Sequence, residues 1–370
     1  SVSLGLISNY SYPLYDLVGN VKQMTTQGAP GTQSINYNYN NIYELISTSG
    51  TQTHSYSYDK VANRQTADGT NYITNAVNQY TNVGSMNYSY DNNGNLTFDG
   101  RNTYTYDEEN NLSNVSGLLS TVYAFDALGR RVSKNVNGTA TYYVNDGARE
   151  VEERTASGKL QVDYVYGDYI DEVLTLSHPA QIYQTPASLA PDDGGPGFVA
   201  PAGEETLEPS EAKAAQEEQP SLDKSLVTSD EAIPASPEPP TLLEAFPIAT
   251  TLYYHYDGLG NVTELTDLNG NIAEKYTYDP YGQPTIKNRT NQVLSNTAVG
   301  NYYMFTARRY DPESGLYHYR ARAYDHRIGR FEQFDPLGNV DSENLLQYVG
   351  NNPVNFVDPY GLYKYETQNV

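Results

Sequence analysis

A short motif recurs along this chain: two aromatic residues one apart, then Asp, then a turn holding Gly or Asn, then an apolar residue. Its fullest copies are Tyr88-Ser89-Tyr90-Asp91-Asn92-Asn93-Gly94-Asn95-Leu96 and Tyr254-His255-Tyr256-Asp257-Gly258-Leu259-Gly260-Asn261-Val262. Further copies begin at Tyr56, Tyr104, Tyr123 and Tyr276, and weaker ones pass through Tyr15-Asp16 and Tyr37-Asn38-Tyr39-Asn40. The residue at the Asp position falls at 16, 40, 59, 91, 107 and 126 and, after a gap, at 257, 279, 311 and 325. A period near ~20 residues fits two short strands and two turns, a unit that must pair with its neighbours to bury an apolar face. Aromatics at i and i+2 share one face of a strand. Asp then opens a turn by accepting backbone N–H groups, and Gly or Asn supplies positive φ. Asn93-Gly94, Asn137-Gly138 and Asn269-Gly270 add hairpin signals. The expected fold is all-β: tandem hairpins forming a curved or wrapped sheet. With so few units, an open or partial wrap is expected.

Composition agrees with thin sheets rather than a thick core. Hydrophobic residues make up 38% of the 370, and the aromatics are 37 Tyr and 8 Phe with no Trp. Tyr buries a ring while its hydroxyl keeps a polar partner, and it favours strands. There is no Cys, which excludes disulfides and thiolate-ligated metals. The net charge of −23 disfavours nucleic acid as a partner. No apolar stretch reaches the ~18–20 residues that cross a bilayer, so no membrane insertion by this segment is expected. The chain starts at Ser1 without a signal-peptide pattern and reads as a fragment or processed piece of a secreted or cell-surface protein.

The repeats are interrupted. Residues 184–247 contain no Tyr, 11 of the 20 prolines, and 13 acidic against 2 basic residues. Such a segment cannot offset its ordering entropy and reads as a disordered loop or linker. The flanks near Asp163–Tyr166 and Leu252–His255 are expected to pair across it, since closure costs rise slowly with loop length. The division that follows is a hairpin array at 1–183, the acidic segment at 184–247, further hairpins at 248–300, a distinct region at 301–362 and a short tail at 363–370.

At this point the pattern resembles a known family. The Tyr-x-Tyr-Asp-x-x-Gly-Asn unit is similar to the YD repeat of Rhs proteins, of the C components of bacterial insecticidal toxin complexes and of teneurins. The likeness is diffuse over 1–175 and specific over 251–362. From residue 301 the chain resembles the Rhs repeat-associated core domain. The landmarks, in order, are Phe305-Thr306, Tyr310-Asp311-Pro312, Gly315-Leu316-Tyr317, Arg320-Ala321-Arg322, Tyr324-Asp325, Gly329-Arg330-Phe331, Asp335-Pro336, Asn351-Asn352-Pro353 and Asp358-Pro359-Tyr360-Gly361-Leu362. Two stretches depart from the pattern: His326 stands where the family usually has Pro, and Asn339–Asn344 where a Gly-Gly pair is common.

The resemblance implies a shell wound around a hollow interior, enclosing its own C-terminal cargo or joined to the rest of a larger chain. In many members the core cleaves its own chain after the Leu of the final Asp-Pro-x-Gly-Leu, by aspartyl-type proteolysis without a cofactor. On this chain the scissile bond would join Leu362 to Tyr363, the carboxylates would be Asp335 and Asp358, and Arg330 would bias one of them. Two carboxylates held close have their proton affinities forced apart, which supplies one base and one acid. The residues themselves also allow a plainer reading, because Asp-Pro-x-Gly is a good β-turn and Asp279, Asp311, Asp335 and Asp358 all fit it. Eight residues follow Leu362, too few for a toxin.

Other chemistry finds little support in the residues. The five histidines are scattered, with only His318 and His326 near one turn, so no metal site is expected. Asp91–Asn95 and Asp267–Asn271 lack the glycine position and bidentate Glu of a calcium loop. The arginines at 308, 309, 320, 322, 327 and 330 are expected to stack on Tyr and pair with Asp inside the region, with Arg320 and Arg322 on one face of a strand. An alternative function is a non-catalytic surface protein for adhesion or carbohydrate binding, where tyrosine faces stack on sugars.

Overall fold

The computed structural model describes residues 7–27, 32–179 and 250–366. The expectation of disorder for 184–247 therefore lies outside the described residues. Among those described there is no α-helix, only short 3-10 turns at Phe305–Ala307 and Val349–Asn351.

Every pairing in the array joins consecutive strands in antiparallel fashion. One sheet has nine strands, from Asn9–Tyr15 to Met86–Asn87. The next has fifteen, from Ser89–Tyr90 to Val293–Leu294. The second sheet is continuous across the acidic segment, because Val173–His178 pairs with Thr250–Tyr256, His178 opposite Thr250. The strand Leu160–Tyr166, expected to make that pairing, is one place further back and bonds to Val173–His178 instead.

The motif dictates this geometry through its carboxylate. Asp91 Oδ1 accepts the backbone N–H of Asn93 and of Asn95, both at 2.9 Å, and Oδ2 accepts the Asn95 amide. Asp16, Asp59, Asp257 and Asp267 repeat the pattern. Asn75 does so as well, bonding Val77 and Gln79, which fills the long step between Asp59 and Asp91 with a copy that the Tyr-Asp signature hides. The carboxylates of Asp91 and Asp267 are thus engaged within their own turns. Asn137 and Gly138, with φ of 49° and 92°, make the two-residue turn their identities suggest.

The two aromatics of each unit have separate tasks. The first ring is buried, as at Tyr37, Tyr56, Tyr104, Tyr164, Tyr254 and Tyr276. The second sends its hydroxyl to the carbonyl that opens the outgoing strand of the preceding unit: Tyr39 to Val21, Tyr106 to Leu96 and Tyr278 to Val262, at 2.7–2.8 Å. Tyr256 reaches Val173 in the same way, so the unit preceding residue 250 in space is the one that ends before the acidic segment.

The array comes back on itself rather than lying open. Gly258 N–H donates to the Tyr12 hydroxyl at 2.8 Å, Gln52 reaches the Tyr278 carbonyl at 2.7 Å, and the hydroxyls of Tyr58 and Tyr281 meet at 2.6 Å.

Candidate functional site

Residues 301–366 are held by the array through a series of long-range clips. Asn355 Oδ1 accepts Val21 N–H, Asn352 bonds Asn20, Asn351 bonds Glu44, and Asn344 bonds Asn63. Leu96 N–H donates to the Glu332 carbonyl, Val262 N–H to Met304, and Thr306 N–H to the Asn261 side chain. Most of these partners are the fourth residue of a repeat turn or the first of the strand after it. The segment therefore follows one rim of the sheet and satisfies groups that the turns leave over. Its own core is aromatic: Tyr317, Tyr319, Tyr324, Phe331 and Tyr348 are buried, with Tyr324 and Tyr348 centroids 4.3 Å apart.

The arginines join this segment to the array and do not form an open basic patch. Arg309 pairs with Glu150 and Glu153, Arg308 and Arg320 both with Asp171, and Arg327 with Asp99 and Asp325. Asp311 meets Arg131 at 2.6 Å and Lys134 at 3.0 Å, and these cations hold its carboxyl below the usual range although it is buried. The expected shared face of Arg320 and Arg322 is not formed. The chain reverses at Arg320-Ala321, Arg320 has φ of 59°, and Tyr319 pairs with Arg322 across that hairpin.

That reversal delivers Arg322 to the two carboxylates singled out from sequence. Its Nη2 is 2.9 Å from Asp335 Oδ2 and 3.5 Å from Asp358 Oδ2. Its Nε donates to the Gly361 carbonyl at 2.6 Å, Nη1 reaches the Leu345 carbonyl at 3.1 Å, and the guanidinium lies 3.7 Å from the Phe331 ring centroid. Arg330, expected in this role, instead lies 3.7 Å over the Tyr80 ring and bonds Asn63 Oδ1 and the Asn78 carbonyl.

Asp335 keeps a turn bond through Oδ1, to Leu337 N–H at 2.9 Å, which leaves Oδ2 for Arg322. Asp358 departs from the repeat rule. Its Oδ1 accepts N–H groups four and five residues on, from Leu362 at 3.0 Å and Tyr363 at 3.3 Å. One oxygen thus touches the amides on both sides of the Leu362–Tyr363 junction. Burial pushes the Asp358 carboxyl up to about 6, against the opposing effects of the Leu362 amide and Arg322. Burial also raises Asp335, with Arg322 opposing. Asp335 and Leu362 both border a cavity of about 510 Å³ between the array and the segment. Beyond the junction, Tyr365–Glu366 pairs with Phe356–Val357.

Elsewhere the histidines have other local partners: His54 pairs with Asp68 at 2.8 Å, and His178 bonds the Val299 carbonyl. His326 is buried against Tyr310 and Tyr317, and burial lowers it to about 4. Sequence reasoning missed Arg322 as the bridging group. Only the pairing across the 320–321 hairpin distinguishes it from its five neighbours.

Comparisons with known proteins agree with this architecture. Residues 11–144 match the family described as Teneurin YD-shell. A tRNA3(Ser)-specific nuclease WapA of Bacillus spizizenii is 29% identical over 322 residues, covering 82% of this chain and 11% of the relative. A double-stranded DNA deaminase toxin A of Burkholderia cenocepacia is 32% identical over 114 residues, 31% of this chain and 8% of that protein. The chain thus spans about a tenth of the length of these curated relatives. Among solved structures, the Tc holotoxin pore of Photorhabdus luminescens superposes with a TM-score of 0.51 at 16% identity, covering 98% of this chain and 18% of that one. The fold of this chain is the antiparallel, tyrosine-rich YD-shell.

Proposed function

We propose that this chain is the C-terminal part of a polymorphic-toxin shell of the Rhs type, secreted or displayed at the cell surface, and that it cuts its own backbone between Leu362 and Tyr363. The shell reading is supported by the YD-shell fold and by relatives named as a nuclease and a deaminase toxin. Its partner would be the cargo that follows the cleavage point in a longer chain. The observation that carries the cleavage reading is the position of Asp358 Oδ1 on the amides of both Leu362 and Tyr363, with Arg322 tying that carboxylate to Asp335.

The two carboxylates divide the work by environment. Asp335 has an oxygen 2.9 Å from a guanidinium and borders the cavity that Leu362 also borders, so it is the ionised member that faces water. It takes a proton from a water as the water oxygen bonds to the Leu362 carbonyl carbon and the carbonyl electron pair moves onto oxygen. The intermediate then re-forms the carbonyl and breaks the C–N bond. Asp358, the protonated member, gives its proton to the departing Tyr363 nitrogen. The products are a carboxylic acid at Leu362 and an amine at Tyr363, with Asp335 protonated and Asp358 ionised. Holding both groups in the same chain supplies a large effective concentration, and one turnover is enough.

Intact-mass measurement of the expressed 370-residue chain tests this. Loss of the peptide from Tyr363 to Val370, abolished by Asp335→Asn and by Asp358→Asn, is the expected result. A parent that keeps its full mass after prolonged incubation at pH values spanning about 4 to 8 refutes self-cleavage.

A further inference from the structure

The groups already described hold the backbone from Gly361 to Tyr363. Arg322 fixes the Gly361 carbonyl, and Asp358 fixes the amides of Leu362 and Tyr363. The next backbone group, Lys364 N–H, is taken by a third carboxylate: Asp341 Oδ2 accepts it at 2.5 Å. Asp341 belongs to Asn339–Asn344, the stretch that departs from the family pattern. It lines a small pocket together with Arg322, Asp335, Asp358 and Lys364. It is solvent-exposed at the pocket mouth, so its side chain is not needed to fill the core. Consecutive residues on either side of the junction are therefore each clamped by a charged side chain, and beyond Tyr363 the clamp on the leaving side is Asp341.

We propose that Asp341 is a positioning residue for the cleavage: it holds the leaving strand at Lys364 so that the Tyr363 nitrogen stays against Asp358 while the bond breaks. The proposal rests on the self-cleavage reading. Two physical effects are separable. The hydrogen bond aligns the departing nitrogen, whose lone pair must meet the Asp358 proton once the carbonyl carbon has become tetrahedral. The charge acts at a distance, since Asp341 is among the groups that raise Asp335, with Arg322 opposing it. The short strand Tyr365–Glu366 continues the hold beyond Lys364, so the new amine end does not swing free.

The test uses the full chain with Asp341→Asn and Asp341→Ala, followed by intact mass over time across a pH series, with thermal melting as the folding control. Asn retains an acceptor for Lys364 N–H but not the charge; Ala retains neither. Asp341→Ala should cleave about tenfold more slowly at the plateau of the profile. Asp341→Asn should stay within about twofold there, yet the acid limb of its profile should move to lower pH as Asp335 becomes a weaker base. Both variants should melt within a few degrees of the parent, as expected for an exposed side chain. If the parent cleaves and both variants follow its rate at every pH, Asp341 only decorates a turn and the proposal falls while self-cleavage stands. If the parent never cleaves, both fall together.

Discussion

The division of labour between the two tyrosines of each unit can be tested by removing single hydroxyl groups. Tyr278 donates to the Val262 carbonyl at 2.7 Å. Tyr278 is half-buried, whereas Tyr123 is buried, with 5% of its surface exposed, and its hydroxyl has no hydrogen-bond partner among the described residues. Replacement by Phe keeps each ring in place and deletes one oxygen. At Tyr278 the change removes a net hydrogen-bond contribution of about 1 kcal/mol and leaves a carbonyl short of a donor, for a total loss of about 1–3 kcal/mol. At Tyr123 it removes an unsatisfied group whose burial costs about 1–3 kcal/mol, so stability should hold or rise. The ring also stays 5.4 Å from the Arg131 guanidinium, a contact that Phe preserves. Guanidinium titration of the two variants against the parent, read as midpoint shifts at constant slope, compares them directly. A loss at Tyr123→Phe equal to that at Tyr278→Phe would refute the assignment of separate roles to the ring and the hydroxyl.

Three further outcomes are expected. The proposed mechanism needs Asp335 ionised and Asp358 protonated; Asp358 is raised to about 6, so the rate by intact mass should fall as pH rises through that value, and a rate still climbing well above it would remove Asp358 as the acid. Burial beside Asp325 and Asp99 raises Glu332 well above the carboxylate range, so its contribution to stability is present at low pH and is lost as pH climbs through the folded value. Glu332→Gln should therefore melt higher than the parent in alkaline buffer and no higher near about pH 4. Gly94 has φ of 87°, and a Cβ there would lie 2.1 Å from the Phe334 ring, whereas Gly129 has φ of 72° and open space. Gly94→Ala should cost at least about 3 kcal/mol against about 1 kcal/mol for Gly129→Ala, measured by denaturation.

Much of the array was legible because each signal is local. Asp91 bonds amides two and four residues away, so spacing alone exposes the turn. Asn75 was missed because the same geometry tolerates Asn without the flanking Tyr-Asp pair. The pairing partner of Leu252 was misplaced by one strand, since Val173–His178 carries no Tyr to mark it as a unit. In the site, Asp335 and Asp358 were visible only through resemblance; their residues read equally well as turns. Choosing Arg330 over Arg322 failed for a topological reason. Alternation predicts a straight strand through Tyr319-Arg320-Ala321-Arg322, but a non-glycine residue at positive φ reverses it, and nothing in the identity of Arg320 announces that.

The clips along the rim also impose an order of events. Strand pairings in the array join neighbours and can form as the chain emerges. The anchors of the final segment reach back much further: Asn355 to Val21 spans 334 residues and Asn344 to Asn63 spans 281. They can form only after the hairpins they grip are already wound. Arg322, Asp335 and Asp358 are close in sequence, yet they are mounted on a segment fastened by those distant anchors. Assembly of this constellation thereby reports that the whole array has folded, and on the proposed function a chain stalled or miswound upstream would keep its junction intact.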